Sequence, residues 1–146
     1  MQAGASALSI LTDKDFFGGS ADDLKVARKF NFCPILRKDF IIDEYQVIEA
    51  KSIGADVILL IAAILTPQQV KQLAALAISL GMEVLLEVHD EAELQANMEA
   101  GIVLVGVNNR NLKTFEVDIN TSKRLSELMP KEVIAVSESG IDHPAL

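Results

Sequence analysis

The stretch Pro34-Ile35-Leu36-Arg37-Lys38-Asp39-Phe40 decides the fold class of this chain. A short apolar run ends in a lysine, an aspartate and an aromatic residue, and a helical pattern follows from Asp43. Because strand side chains alternate between two faces, Lys38 shares a face with Leu36. Ligands of α/β proteins bind at the carboxyl ends of parallel strands, so the pattern predicts a strand that carries Lys38 to a functional edge. An ion pair of Lys38 with Asp39 or another strand-end acid is the structural alternative.

Composition narrows the function classes. The chain has 146 residues, 50% of them hydrophobic and 23% charged, which predicts one globular domain over residues 1–146. Its formal net charge of -8 argues against nucleic-acid binding, which needs a basic surface. The longest apolar run, residues 57–65, is about half of the ~20 residues that a membrane helix needs. A single cysteine and no signal-peptide pattern favour a cytoplasmic location without membrane contact.

The apolar pattern predicts one strand followed by five helix–strand pairs. Strands are expected at residues 7–12, 34–39, 55–62, 83–88, 102–108 and 133–139, and helices at 20–30, 43–53, 66–80, 90–100 and 120–129. Strict alternation of this kind predicts a parallel sheet with right-handed crossovers, either an open doubly wound sheet or a (β/α)₈ barrel. No Gly-x-Gly-x-x-Gly turn follows the first strand, and polar residues end many strands, which favours the barrel. A complete barrel takes about 250 residues, so we expect an α/β fold with an incomplete TIM (β/α)₈ barrel.

Glu87 ends the fourth predicted strand on the same face as Leu85. A carboxylate beyond such an apolar run needs a partner or a use. With its pKa raised by burial, Glu87 would suit a general base, and an ion pair with Lys38 is the alternative. His89 is interpreted as a loop or surface histidine, and two histidines without a convergent third ligand predict no metal site.

The later strands end in further polar groups. Asn108 can hold a substrate hydroxyl, and Arg110 can bind a carboxylate with two hydrogen bonds. The run Glu138-Ser139-Gly140 ends the last strand, where backbone N–H groups of a Ser-Gly turn are suited to phosphate. Phe17, Phe40 and Leu59 could line an aromatic slot, although loop phenylalanines more often cap the core. We expect all these strand ends to converge at one rim.

Together these segments resemble the indole-3-glycerol phosphate synthase family. The likeness covers essentially the whole chain, and the motifs follow the family's order and approximate spacing. They are Leu8-Ser9-Ile10-Leu11-Thr12-Asp13, Phe16-Phe17-Gly18-Gly19-Ser20, Pro34 to Ile41, Leu85-Leu86-Glu87-Val88-His89, Gly106 to Leu112, and Ser137-Glu138-Ser139-Gly140-Ile141.

The resemblance implies a (β/α)₈ barrel enzyme of tryptophan biosynthesis, a carbon–carbon lyase without metal or organic cofactor. Such an enzyme closes the indole ring of 1-(2-carboxyphenylamino)-1-deoxyribulose 5-phosphate, with loss of CO₂ and water. It implies Lys38 as general acid at the ketose carbonyl and Glu87 as base or acid for dehydration. It further implies that Asn108, Glu138 and Ser139 orient the substrate and that Arg110 supports its charged groups. Phe17, Phe40 and Leu59 would form the anthranilate pocket, and Gly140 would contact the phosphate.

The chain also departs from the family pattern. Nothing matches the Glu-x-Lys and Ser-Pro motifs of the family's first strand, or the glycine-rich phosphate loop of its eighth strand. We therefore expect an internal fragment with barrel strands two to seven, with little or no activity alone. Open barrel edges would favour self-association. Two alternatives remain: a non-catalytic barrel-like assembly or partner-binding fragment, and another phosphate-binding barrel lyase that uses Lys38 as a Schiff base.

Overall fold

Parallel strands alternate with helices along the whole described chain. The computed structural model describes residues 4–143, apart from the side chain of Glu99. The strands are β1 (Leu8–Leu11), β2 (Ile35–Lys38), β3 (Val57–Ile61), β4 (Glu83–Val88), β5 (Leu104–Asn108) and β6 (Ile134–Glu138). The helices are α1 (Ala21–Phe30), α2 (Glu44–Ile53), α3 (Pro67–Ser79), α4 (Glu91–Asn97) and α5 (Asn120–Ser126), with short 3₁₀ turns at Ala62–Ile64 and Met98–Ala100. This order confirms the predicted α/β class with six parallel strands.

Local sequence signals set most helix ends. Asp43 caps α2 through a capping box, in which its side chain accepts a backbone N–H and Gln46 reaches back to the Asp43 backbone. Gly54 ends the same helix with a left-handed φ of 97°, a conformation that costs glycine little. Ser20 and Asp90 cap α1 and α4, at the positions where the sequence predicts that these helices begin.

Two helices are shorter than predicted. α4 ends at Asn97, although the pattern predicted helix up to residue 100, and α5 ends at Ser126 instead of Met129. The Asn97 side chain donates to the Glu93 carbonyl at 2.8 Å, which competes with regular helical hydrogen bonding. The chain then tightens into a 3₁₀ turn and leaves it at Gly101, with φ 72°. β5 accordingly starts at Leu104, two residues later than predicted.

The chain forms two compact units, each made of two stretches of sequence. The first unit comprises residues 1–60 and 72–84, and the second comprises 61–71 and 85–146, in the part of each that is described. In the first unit, β1 pairs with β2, where Ser9 lies opposite Leu36, and β2 pairs with β3. Its core residues include Leu24, Ile35 and Ile58, all with no exposed surface.

The second unit contains the other strand pairings. β4 pairs with β5 from Leu85 to Val88, and β5 pairs with β6 up to Asn108 opposite Glu138. Its core residues include Val88, Leu94 and Leu125. The prediction of a single domain stays a prediction. Among residues 4–143, no helix is both long enough and apolar enough to span a membrane.

Candidate functional site

The predicted lysine and two predicted aromatic residues meet in the first unit. Lys38 is the last residue of β2 and is half-buried. Its Nζ lies 5.9 Å from the centroid of the Phe17 ring, within reach of a cation–π interaction. Phe17 stacks on Phe40 with centroids 5.0 Å apart and planes 7° apart, and Phe16 meets Phe40 edge-on at 5.3 Å. A cationic group therefore lies beside an aromatic surface at this strand end.

A buried network fixes the turn that presents Phe40. Asp39 Oδ1 accepts the Phe40 backbone N–H at 2.8 Å, and Asp39 Oδ2 accepts the Thr12 hydroxyl at 2.7 Å. Arg37 Nη2 donates to Asp39 Oδ2 at 2.9 Å and to Glu49 Oε2 at 2.7 Å. Thus Asp39, considered above as a partner for Lys38, forms its buried ion pair with Arg37.

Leu59, the third predicted pocket residue, lies within β3 and has no exposed surface. Leu60 and Ile58 on either side of it are equally buried. Leu59 is thus a core residue of the first unit, and its contact with a substrate ring stays a prediction.

In the second unit, hydrogen bonds join three of the predicted catalytic residues. Glu87 is only 4% exposed, and its Oε1 accepts from Asn108 Nδ2 at 3.0 Å. Asn108 Oδ1 accepts the Ser139 hydroxyl at 2.8 Å and the Arg110 backbone N–H at 3.0 Å. Because an amide oxygen only accepts and an amide nitrogen only donates, these contacts fix the orientation of Asn108.

His89 lies in the loop between β4 and α4, as one of its two predicted interpretations has it, but its side chain is not on the surface. Its side chain is 13% exposed, with Nε2 3.2 Å from Glu87 Oε1 and Nδ1 3.2 Å from Glu93 Oε2. The two carboxylates, Glu87 first and then Glu93, raise the pKa of His89 to about 9, against the opposing effect of burial. A sequence signal was present, because His89 lies two residues beyond Glu87 and therefore shares its face if the strand direction continues.

Glu138 and the turn after it complete the predicted set. Glu138 lies opposite Asn108 in the β5–β6 register, and a Cβ at Gly106 would overlap Glu138 Oε1. Gly106 therefore leaves the space that the Glu138 carboxylate occupies. Ser139 has a left-handed φ of 64°, which is uncommon outside glycine and is often found at functional sites. Gly140 follows with φ 74°, and a Cβ there would overlap Val117.

A cavity of about 500 Å³ lies within the second unit, a size typical of sites for small molecules. Charged groups of both signs line it, so it suits a polar ligand. Its lining includes His89, Asp90, Glu93, Asn108, Arg110, Lys113, Glu116, Asp118 and Arg124. Arg110 is exposed, as a residue that binds a charged ligand must be. Among residues 4–143, no group of three His, Cys, Asp or Glu side chains is placed to hold a metal ion.

These features define the class: parallel β/α units of an incomplete TIM barrel with polar groups at the strand ends. Solved structures share the fold. KGPDC from Streptococcus mutans has a TM-score of 0.71 at 16% identity, covering 96% of this chain and 68% of that one. The 3-keto-L-gulonate-6-phosphate decarboxylase from Vibrio cholerae has a TM-score of 0.67 at 14% identity, covering 93% and 67%.

Sequence comparison identifies the family. The family pattern of indole-3-glycerol phosphate synthase matches residues 1–145, so this chain belongs to that family. The indole-3-glycerol phosphate synthase of Polaromonas naphthalenivorans is 57% identical over 141 residues, which cover 97% of this chain and 54% of that protein. The Bacteroides thetaiotaomicron relative is 53% identical over 144 residues, covering 99% and 55%. The resemblance inferred from the sequence is confirmed, and the chain spans about half the length of these curated relatives.

Proposed function

We propose that this chain carries catalytic residues of an indole-3-glycerol phosphate synthase, a lyase of tryptophan biosynthesis. The substrate would be the small phosphorylated molecule 1-(2-carboxyphenylamino)-1-deoxyribulose 5-phosphate. The observation that carries the proposal is the buried Glu87 carboxylate, which Asn108 binds and Ser139 supports through Asn108. A carboxylate buried this deeply is costly unless it is paired or used in chemistry.

Lys38 is assigned to ring closure. Its ammonium donates a proton to the ketose carbonyl oxygen while the aromatic carbon that bears the carboxylate attacks the carbonyl carbon. Loss of CO₂ from that ring carbon returns the electron pair and restores aromaticity. Phe17 and Phe40, stacked beside Lys38, are assigned to bind the anthranilate ring, together with Leu59.

Glu87 is assigned to dehydration. The hydroxyl formed at ring closure leaves as water while a proton is removed from the neighbouring atom, which creates the double bond of the indole. A carboxylate serves as base and, once protonated, as acid in such a step. Asn108, Glu138 and Ser139 are assigned to orient the intermediate. Overall the reaction eliminates CO₂ and water, so its electrons balance without an external redox partner.

The charged ends of the substrate are assigned to Arg110 and Gly140. Arg110 is exposed at the cavity of the second unit, where its guanidinium can bind a carboxylate or phosphate. Gly140 and Ser139 are consecutive left-handed residues, and such turns can expose backbone N–H groups to an anion. A cytoplasmic location agrees with this proposed role.

The test is a hybrid enzyme in which residues 1–145 replace the matching segment of the Polaromonas naphthalenivorans relative. Formation of indole glycerol phosphate is followed by fluorescence. We expect the hybrid to be active, and Lys38→Ala to lower kcat about 10²- to 10⁴-fold. Lys29→Ala, at an exposed position of α1, is the matched control. A folded but inactive hybrid, or full activity of Lys38→Ala, would contradict the proposal.

The same hybrid separates this reaction from a Schiff-base lyase. Borohydride would reduce an imine onto Lys38 and inactivate a Schiff-base enzyme in the presence of substrate. We expect no substrate-dependent loss of activity, because general-acid catalysis forms no imine. We expect the 146-residue chain alone to show little or no turnover, and near-normal turnover would refute that expectation.

A non-catalytic role in association is the second candidate. It is favoured by exposed apolar residues on β1 and β6, where Leu11 is 38% and Ile134 is 62% exposed. Open strands with apolar side chains tend to pair with other chains. Sedimentation of the isolated chain tests this candidate, which predicts dimers or larger species that Ile134→Lys reduces. A monomer across the concentration range would exclude it.

A further inference from the structure

The imidazole of His89 lies between two carboxylates, just beyond the end of β4. On one side, Glu93 Oε2 lies 3.2 Å from Nδ1 and also accepts the His89 backbone N–H at 2.8 Å. Glu93 is itself fixed, because its backbone N–H donates to Asp90, the N-cap residue of α4, at 2.8 Å. The start of α4 therefore anchors the ring.

We propose that His89 is a positioning residue for Glu87: fixed by Glu93, it holds the Glu87 carboxylate against Asn108 at the end of β4. Two nitrogens face the same carboxylate oxygen, His89 Nε2 at 3.2 Å and Asn108 Nδ2 at 3.0 Å. Rotation of the Glu87 side chain would break both contacts. The inference rests on the proposed function, because it concerns the residue assigned to dehydration.

The charge of His89 is part of this arrangement. Carboxylate oxygens lie 3.2 Å from both ring nitrogens, with hydrogen-bond geometry at Nδ1 and an ion-pair contact at Nε2, and this arrangement favours an imidazolium. The pKa of about 9 agrees with a ring that stays cationic at neutral pH. The charged groups that share the cavity with His89 are Asp90, Glu93, Arg110, Lys113, Glu116, Asp118 and Arg124. Because the cavity is lined by charges of both signs, the two carboxylates that face the ring directly have the largest effect on its pKa.

The first experiment is a nuclear magnetic resonance titration of the histidine side chains in the 146-residue chain. His143→Gln assigns the two histidine signals. We expect His89 to titrate near pH 9, and Glu93→Gln and Glu87→Gln each to lower its pKa by about one unit. Glu91→Gln, at an exposed position in the same turn of α4, is the matched control and should leave the titration unchanged. Titration of His89 near 6.5 in the unmodified chain, or no response to Glu87→Gln, would overturn the proposal.

The second experiment measures kinetics in the hybrid enzyme. We expect His89→Gln to lower kcat about tenfold with little change in KM, because a displaced base affects the reaction more than substrate binding. We also expect kcat of the unmodified hybrid to fall as the pH passes about 9, and this fall to be smaller in His89→Gln. An unchanged kcat and pH profile in a folded His89→Gln hybrid would overturn the positioning role.

The two experiments separate the inference from the function on which it rests. An inactive hybrid in which His89 titrates near pH 9 would refute the proposed function and leave the contact between His89 and Glu87 established. An active hybrid in which His89 titrates near 6.5 would refute the positioning role and leave the proposed function intact.

Discussion

Both units bury charged side chains at a strand end, and the two clusters differ in whether they border a cavity. In the first unit, Arg37 is 4% exposed and donates to Asp39, Glu49, Thr12 and the backbone carbonyl of Gln46. Every donor nitrogen of its guanidinium has a partner at 3.2 Å or closer. This cluster has the geometry of a structural ion pair.

In the second unit, one imidazole stands between Glu87 and Glu93, and His89 and Glu93 line the cavity. A ligand in the cavity could therefore reach the cluster through His89 and Glu93. Buried charge alone therefore does not mark a functional group. A buried charge that borders a cavity, and whose protonation the neighbouring groups alter, is the better candidate.

The largest effect should come from breaking the saturated cluster. Arg37→Met would leave Asp39 and Glu49 without their shared cation, so we expect a loss of about 3–5 kcal/mol in the free energy of unfolding. Urea unfolding of the 146-residue chain measures it, with Lys29→Met at an exposed position as control. A loss below about 1 kcal/mol would mean that the network contributes little to stability.

The complementary change is Glu87→Gln, which keeps the shape of the side chain but removes its charge. We expect kcat of the hybrid to fall about 100-fold, while stability changes by less than about 1.5 kcal/mol. Glu83→Gln, at the exposed start of the same strand, is the matched control. If Glu87→Gln lowered the free energy of unfolding by more than it raised the activation free energy, the Glu87 cluster would be structural, like that of Arg37.

Gly106→Ala tests whether the position of Glu138 matters to the reaction. The added Cβ would overlap Glu138 Oε1, the far end of a flexible side chain that can move aside. We therefore expect about a tenfold loss in kcat of the hybrid with a stability change below about 1 kcal/mol. The control is Ala135→Gly on β6. Gly101→Ala is unsuitable because Gly101 has a left-handed φ of 72°. Unchanged kcat would remove Glu138 from the catalytic set.

The smallest effect is a pH dependence of stability. The pKa of His89 is raised from 6.5 to about 9 in the folded chain, so the folded state binds this proton more tightly than the unfolded state. The resulting stabilisation is complete below pH 6.5 and is lost as the pH rises through about 9. Urea midpoints between about pH 6 and 10 should fall by an amount equivalent to about 1 kcal/mol, and the fall should be absent in His89→Gln. An equal fall in both proteins would assign it to other groups.

The sequence predicts local features of this fold better than contacts between residues that are distant in the chain. The bounds of Glu83–Val88, the caps at Asp43 and Gly54, and the order of all strands and helices follow from hydrophobic periodicity and capping residues. The Arg37 cluster could not be predicted in this way, because Thr12 and Glu49 are distant in sequence and only the fold brings them together. Strand alternation predicts that His89 shares a face with Glu87, but its contact with Glu93 depends on where α4 begins.

The interleaving of the two units has a consequence for synthesis of the chain on the ribosome. The backbone passes from one unit to the other after residues 60, 71 and 84, and α3 belongs partly to each. The first unit therefore lacks its last segment until residue 84 has left the ribosomal exit tunnel. For the same reason, no single cut by a protease separates the two units, because a fragment that holds both segments of one unit also carries a segment of the other. No continuous gene fragment encodes one unit alone.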